Sequence, residues 1–313
     1  MAAPMSEHVS TLSASAIGTD AFARAIATAF ERHGFVVIAD HGIAPEVIDG
    51  CAAASREFFA LPEAVKRRYH RPGGGGARGY TPPGIETALG ATHPDLKEFW
   101  HVGRELPPGH RLEASMPPNF WPVEVPQLRE RALALWAAFD TLGRQLLGAI
   151  ACALALPREF FENKVNEGNS ILRLLHYPPV EGEPGALRAG EHEDINVITL
   201  LLGAEEPGLE LRTREGAWLP IDPLPGSVVC NVGDMLQRVT NGVLRSTTHR
   251  VANPGPGQAA RSRHAMPFFL HFNPDFELRT LPSCVSAESP DRYPEAITAD
   301  ACLQQRLKDI RLL

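Results

Sequence analysis

Hydrophobic residues in the first half of this chain recur every three to four positions, whereas after residue 170 they come in short runs cut by turn residues. Helix-period patterning therefore gives way to strand patterning near residue 165. A chain divided in this way does not alternate strand with helix, so a doubly wound parallel sheet is disfavoured. The predicted strands are Ile171–Tyr177, Val197–Leu202, Leu209–Arg212, Trp218–Ile221, Ser227–Val232, Ser246–Val251 and Ala265–Phe272. Turns separate them at Pro178-Pro179, Pro207-Gly208, Pro225-Gly226, Asn241-Gly242 and Pro254-Gly255-Pro256-Gly257. Many short strands with no helices between them predict a sandwich or jelly roll, mostly β with flanking helices.

The flanking helices come from the first half. Phe22, Ala25, Ile26, Ala29 and Phe30 share one helical face, and Gly34 is a natural stop. Phe35–Ile38 then reads as a strand, and residues 45–60 as a second amphipathic helix entered at Pro45. The longest helical pattern covers 125–156, where Leu128, Leu135, Trp136, Phe139, Leu142, Leu146, Ile150 and Leu154 recur. Charges fall mostly between them, as for a helix buttressing a sheet. Residues 70–120 are rich in Gly and Pro. Gly73–Gly76 has no following Lys-Ser or Lys-Thr, so it reads as a loop able to cover a site, not a phosphate cradle. Thr298–Leu313 reads as a helix that docks on its own chain or on a partner.

The chain has 313 residues, 44% of them hydrophobic and 21% charged, a mix that suits a globular core. A net charge of −7 argues against nucleic acid or an anionic membrane as partner. The first eight residues lack a positive n-region and an apolar h-region. The longest charge-free apolar run, 145–157, is too short for a bilayer, which takes about 20 residues. A cytoplasmic location is expected. Cys51, Cys152, Cys230, Cys284 and Cys302 are odd in number and nowhere spaced as CxxC, which suggests free thiols in a reducing compartment.

The most informative stretch is Glu191-His192-Glu193-Asp194. On an extended backbone, residues two apart share a face, so His192 and Asp194 can aim at one point while Glu193 faces away. His249, on a later predicted strand, can supply a third donor. Two His and one carboxylate leave coordination positions open, as expected for non-haem Fe(II) oxygenases. Structural zinc prefers four ligands, usually including Cys, and no Cys is near. Against this stands a plainer reading: HxD arises often by chance, and a lone strand His is commonly a hydrogen-bonded core residue. Arg263 adds weight, because it leads directly into an apolar strand. A buried Arg needs an anionic partner, either a protein carboxylate or the far carboxylate of a small dicarboxylate cosubstrate.

With these motifs in view, nearly the whole chain resembles the 2-oxoglutarate and Fe(II)-dependent dioxygenases, in the branch of isopenicillin N synthase. His192, Asp194 and His249 match that family's iron-binding HxD…H motif, and Arg263 matches the Arg of its RxS motif. Tyr177 matches a Tyr often found beside the cosubstrate. Gly233–Leu236, Asn241-Gly242, Phe269–Pro274, His33–Phe35 and Asp40–Ile43 also resemble family stretches. Two positions depart from the pattern. Ala265 replaces the Ser of RxS, and Leu175 stands where many plant relatives carry Asn. The missing hydroxyl is worth about 1 kcal/mol, and His264 or a nearby Tyr or Thr is a candidate substitute.

The resemblance implies a double-stranded β-helix (jelly roll) core. It implies metal ligation by His192, Asp194 and His249, and 2-oxoglutarate held by Arg263 with Tyr177. It also implies O2 as oxidant, ascorbate as a candidate reductant, and hydroxylation of a C–H bond in a small molecule with release of succinate and CO2. It divides the chain into an N-terminal region 1–120, a helical segment 121–166, the oxygenase core 167–276 and an extension 277–313, packed as one unit. Substrate contacts are expected from the loop 73–82 with Arg78 and Tyr80, from Glu98–His101 and from Phe269. Three alternatives stay open: an Fe(II) oxidase that dispenses with 2-oxoglutarate, a zinc hydrolase using Glu193 as base, and a non-catalytic jelly-roll binding protein.

Overall fold

The side chain of Thr19 accepts a hydrogen bond from Phe22 N at 3.2 Å and opens the first helix, and Gly34, at φ 69°, closes it. A side chain at Gly34 would meet Arg245 O and Thr247 Oγ1, each 2.4 Å from a Cβ there, so the turn into the first long strand needs glycine twice over. The computed structural model describes residues 8–73, 77–85, 97–179, 189–202, 208–222, 225–252 and 262–309. In chain order the elements are β1 (Thr11–Ser13), α1 (Asp20–His33), β2 (Phe35–Ala39), α2 (Pro45–Phe59), α3 (Glu63–Lys66), β3 (Gly79–Thr81) and β4 (Glu98–Gly103). There follow α4 (Gln127–Ala153), α5 (Glu162–Val165), β5 (Ile171–Tyr177), β6 (Ala189–His192), β7 (Ile198–Leu202), β8 (Leu209–Arg212) and β9 (Trp218–Pro220). The chain ends with β10 (Val228–Val232), α6 (Asp234–Val239), β11 (His249–Val251), β12 (Arg263–Leu270) and α7 (Ala299–Asp309).

The strands form an eight-stranded sheet, β1-β2-β10-β7-β12-β5-β4-β3, and a four-stranded sheet, β6-β11-β8-β9. This is the expected mostly β jelly roll with flanking helices. The strands at 171–177 and 209–212 match the predicted bounds. The last large strand starts at Arg263, not Ala265, so Arg263 belongs to the ladder, paired with Tyr177. Four strands were not anticipated: β1, β3, β4 and β6. β3 and β4 lie in the Gly- and Pro-rich stretch, where composition masks a six-residue strand buried throughout. The short α6 also breaks the expectation of no helix among the strands. Gly74–Gly76 and the turn at Pro254–Gly257 lie outside the described residues.

Alternation splits the large sheet into two faces. On the outer face, even-numbered residues of β4, β5 and β12 meet the helices. Phe268 stacks on Phe139 of α4 (5.5 Å, 12°) and receives the edge of Trp136 at 5.5 Å. Gly143 lets α4 approach, since a Cβ there would stand 2.5 Å from Leu270 Cδ1. Leu128, Leu135, Leu142, Leu146 and Ile150 complete this seam with Leu172, Leu174 and Leu200. Each such buried side chain contributes roughly 1.5–3 kcal/mol. Among the described residues, no helix is long and apolar enough to cross a membrane.

The outer face also holds a buried ion pair. Lys66 Nζ reaches Glu98 Oε1 at 2.8 Å and Oε2 at 2.7 Å and donates to Phe59 O at 3.2 Å. Tyr80 OH donates to the same carboxylate, and His176 Nδ1 lies 2.7 Å from Oε1. Burial pushes the Glu98 pKa up, but hydrogen bonds from His176, Lys66 and Tyr80 outweigh it and hold the group below the ordinary carboxylate value. His264 stacks on His176 at 4.7 Å. Tyr80, Glu98, Trp100 and His264 are thus occupied on the helix side, and the expectation that Tyr80, Glu98 and Trp100 touch substrate is corrected. Breaking a buried pair strands the remaining charge. Lys66→Met is predicted to lower the unfolding free energy by roughly 3–5 kcal/mol in urea titration, and adding Glu98→Gln to recover much of that loss.

Candidate metal centre

The site begins where the small sheet ends. β6 and β11 run antiparallel with His192 opposite His249, which brings the ring centroids to 4.3 Å. Asp194 lies two residues past the end of β6, in the connection to β7 rather than on a strand. That connection is tied to the start of α6. Asp234 N donates to Asp194 O at 2.7 Å, and Gly233 N to Val197 O at 2.9 Å. A Cβ at Gly233 would lie 2.1 Å from Asn196 O, so the tight approach of these two segments requires glycine.

His192 Nε2 stands 3.9 Å from Asp194 Oδ1, and His249 Nε2 stands 3.9 Å from Asp194 Oδ2. One donor atom from each residue falls within 4.8 Å of the others, a spacing that could hold a metal ion. The tautomers suit such an ion. His192 Nδ1 faces Gly190 O at 2.8 Å and His249 Nδ1 faces Thr247 O at 3.0 Å. A carbonyl only accepts, so each Nδ1 carries the proton and each Nε2 keeps its lone pair toward the centre. Burial first, then the charge of His249, lower the pKa of His192 and favour its neutral form. Burial raises the pKa of Asp194, but His249, His192, Asn231 and Thr199 together hold it below the usual carboxylate range. Two imidazole Nε2 atoms and one carboxylate therefore converge, which fits a divalent cation.

The carboxylate is aimed from the large sheet. Thr199 Oγ1 donates to Asp194 Oδ2 at 2.6 Å and Asn231 Nδ2 at 2.8 Å. Thr199 on β7 and Asn231 on β10 are register partners, so both reach the same oxygen. Sequence reasoning passed over both. The available signal was a single polar residue in each of two apolar runs, Ile198–Leu202 and Val228–Val232. It also assigned no role to His271. That ring is buried, with its pKa pushed down to about 4, and feels the charge of Asp194.

Glu193 turns away, as alternation predicts, and accepts from Thr248 Oγ1 at 2.9 Å. It does not stand where a base for a metal-bound water would act. Arg263 is buried at the far end of the inner face of β12, 5.3 Å from the Tyr177 ring centroid. Ala265 and Leu175 lie opposite each other on that face, so the position of the absent Ser hydroxyl is lined by carbon. His264 faces the other side of the sheet and cannot replace it. Of the expected substrate contacts, Arg78, Phe99, His101 and Phe269 fall on the inner face.

Fold and site together define a jelly roll with a non-haem metal centre held between its two sheets. Two family models match the chain: the N-terminal region of non-haem dioxygenases in morphine synthesis over residues 8–124, and the 2OG-Fe(II) oxygenase superfamily over 168–272. The chain is 33% identical over 301 residues to the 2-oxoglutarate-Fe(II) type oxidoreductase hxnY of Emericella nidulans, covering 90% of this chain and 84% of that one. A 2OG-Fe(II) oxygenase family protein from Caulobacter crescentus superposes with a TM-score of 0.89 at 52% identity, over 96% of this chain and 98% of that one. A full-length Neurospora crassa protein, solved in complex with alpha-KG and thymine, superposes at 0.84 with 30% identity over 96% of each chain. The chain belongs to the 2OG-Fe(II) oxygenase superfamily. It is an oxidoreductase that works with Fe(II), 2-oxoglutarate and O2. The rival readings, an oxidase without 2-oxoglutarate, a zinc hydrolase and a binding protein, are not favoured.

Partners of a metal-binding carboxylate tune affinity about 10–100-fold. Asn231→Leu and Thr199→Val are each predicted to weaken Mn(II) or Fe(II) binding by about that factor in a competition titration with a chromophoric chelator.

Proposed function

We propose that His192, Asp194 and His249 hold Fe(II), that Arg263 and Tyr177 hold 2-oxoglutarate, and that the enzyme hydroxylates a C–H bond of a small molecule. The observation carrying this reading is the pair of Nε2 lone pairs converging with Asp194, both imidazoles oriented by backbone carbonyls. The overall reaction balances as R–H + O2 + 2-oxoglutarate giving R–OH + succinate + CO2. When bound, Fe(II) would supply open coordination positions and relay electrons to O2, two of the four coming from 2-oxoglutarate through decarboxylation and two from the C–H bond that is hydroxylated.

The chain's own work is positioning. Thr199 and Asn231 fix Asp194 Oδ2, which leaves Oδ1 the better placed oxygen for the metal. The backbone carbonyls of Gly190 and Thr247 fix the imidazole planes. Arg263, buried and backed by the Tyr177 ring, offers a planar fork to a carboxylate and discriminates against neutral or longer acids. Leu175 and Ala265 keep that end apolar, so the guanidinium carries most of the recognition. A small-molecule substrate accords with a site enclosed between two sheets and with thymine as the ligand of the Neurospora relative. The four sequence segments act as one unit in this reading, because α4 packs on the outer face of the sheet whose inner face carries the chemistry.

The test is anaerobic addition of Fe(II) and 2-oxoglutarate with ascorbate, followed by visible absorption. Wild type is predicted to develop a weak metal-to-ligand band that His192→Ala and Arg263→Ala both lose. An unchanged band in either variant would overturn the corresponding assignment.

A further inference from the structure

The C-terminal helix α7 lies outside the jelly roll but reaches the segment that carries Asp194. It docks on its own chain: Ala299 N donates to Phe276 O at 2.8 Å and Asp300 N to Pro274 O at 3.0 Å, just past the end of β12. Cys302 and Leu303 pack on the main core. From the last turn, Arg306 Nη2 donates to Asp234 Oδ2 at 2.7 Å. The pair is largely shielded, the arginine side chain being 29% exposed and the aspartate 18%. A second tie runs alongside it. Arg238, one turn further along α6, donates from Nε to Leu278 O at 3.4 Å and from Nη2 to Glu295 O. The C-terminal extension thus fastens α6 at two points.

Asp234 stands between that helix and the metal centre. Its amide donates to Asp194 O at 2.7 Å. The flanking amides grip the same connection, Gly233 N reaching Val197 O at 2.9 Å and Met235 N reaching Asn196 O at 3.2 Å. Asp194 is on no strand, so these backbone contacts, with Thr199 and Asn231 on its carboxylate, decide where it points. α6 has six residues and no side-chain cap. A helix so short has little stability of its own, and its position depends on what it packs against. Charge acts in the same direction. Glu193, beside Asp194, is repelled by Asp234 and attracted by Arg306. Without the guanidinium, the repulsion between these two carboxylates would act on the connection that carries Asp194, in a part-buried place where screening is weak.

We propose that Arg306 is a positioning residue for the metal centre. By holding Asp234 it fixes α6 against the connection, and so fixes the direction of Asp194, acting through Asp234 rather than on the metal itself. This role rests on the reading that His192, Asp194 and His249 hold Fe(II), and it extends that site to the last helix of the chain. A merely structural pair would fasten α7 and do no more. The two roles differ in what a lost guanidinium disturbs: the aim of the metal-binding carboxylate, or the end of one helix.

The full chain, freed of metal by a chelator, is titrated with Mn(II) and, in separate samples without metal, followed by hydrogen–deuterium exchange. Arg306→Gln is expected to bind Mn(II) about threefold to tenfold more weakly than wild type and to exchange faster over residues 193–197 and 233–238. Arg306→Lys, which keeps the charge, should recover most of both. Asp234→Asn should weaken binding as well, and the double variant should lose no more than the worse of the two single variants, because both changes sever one contact. The metal-free melting temperature of Arg306→Gln should stay close to that of wild type, since a part-exposed ion pair adds little to global stability. Wild-type Mn(II) affinity in Arg306→Gln, faster exchange confined to 299–309, a double variant whose loss is the product of the two single losses, or a sharp fall in melting temperature would each overturn the role. His192→Ala tests the metal assignment on its own. Mn(II) binding as tight as wild type in that variant would sink the triad, whereas exchange over 193–197 in metal-free Arg306→Gln still decides whether Arg306 holds Asp194.

Discussion

A buried carboxylate is the interaction around which this molecule is organised. Asp194 lies where an ionised group is costly unless every side of it is answered. The answers come from four places: an imidazole ending β6, an imidazole opening β11, a hydroxyl on β7 and an amide on β10. None of these is a neighbour in sequence beyond the His192–Asp194 pair. Both sheets must close at the correct register before the charge is stabilised. The close packing of Gly233 on Asn196 enforces that closure through the backbone alone.

The large sheet then separates two tasks by the side on which a residue points. Outward residues of β4, β5 and β12 pack on α4 or join the Lys66–Glu98 cluster. Inward residues of the same strands include Phe99, His101, Arg173, Leu175, Tyr177, Arg263, Ala265 and Phe269. The two kinds of polar group never mix. His264 and Arg263 are adjacent in sequence, yet one stacks on His176 under the helices and the other faces Tyr177 in the site.

The HxD spacing, the later His249 and an Arg leading an apolar strand made the centre legible in the sequence, because each depends on local alternation or on residue type. The strands at 171–177 and 209–212 were legible for the same reason, being bounded by turn residues and uniformly apolar or alternating. β3 and β4 were not, since glycine and proline around them outweigh the signal of six buried residues. Thr199 and Asn231 were missed for another reason. Their role depends on cross-strand register between segments about thirty residues apart, which no local pattern carries. The same lack of register led to Tyr80 and Trp100 being grouped with Phe99 and His101, although alternate residues of one strand have opposite surroundings.

The division of the sheet into two faces bears on how such an enzyme changes over time. Inner-face positions, where the proposed substrate would lie, alternate with positions that hold the scaffold, one residue apart on the same strand. On that placement, a substitution at Phe269 or His101 would alter what is recognised without touching the seam between sheet and α4. A substitution at Phe268 or Trp100 does the reverse. Specificity can therefore drift by single steps while the stability margin stays intact, which gives this scaffold room to explore new substrates without first losing its fold.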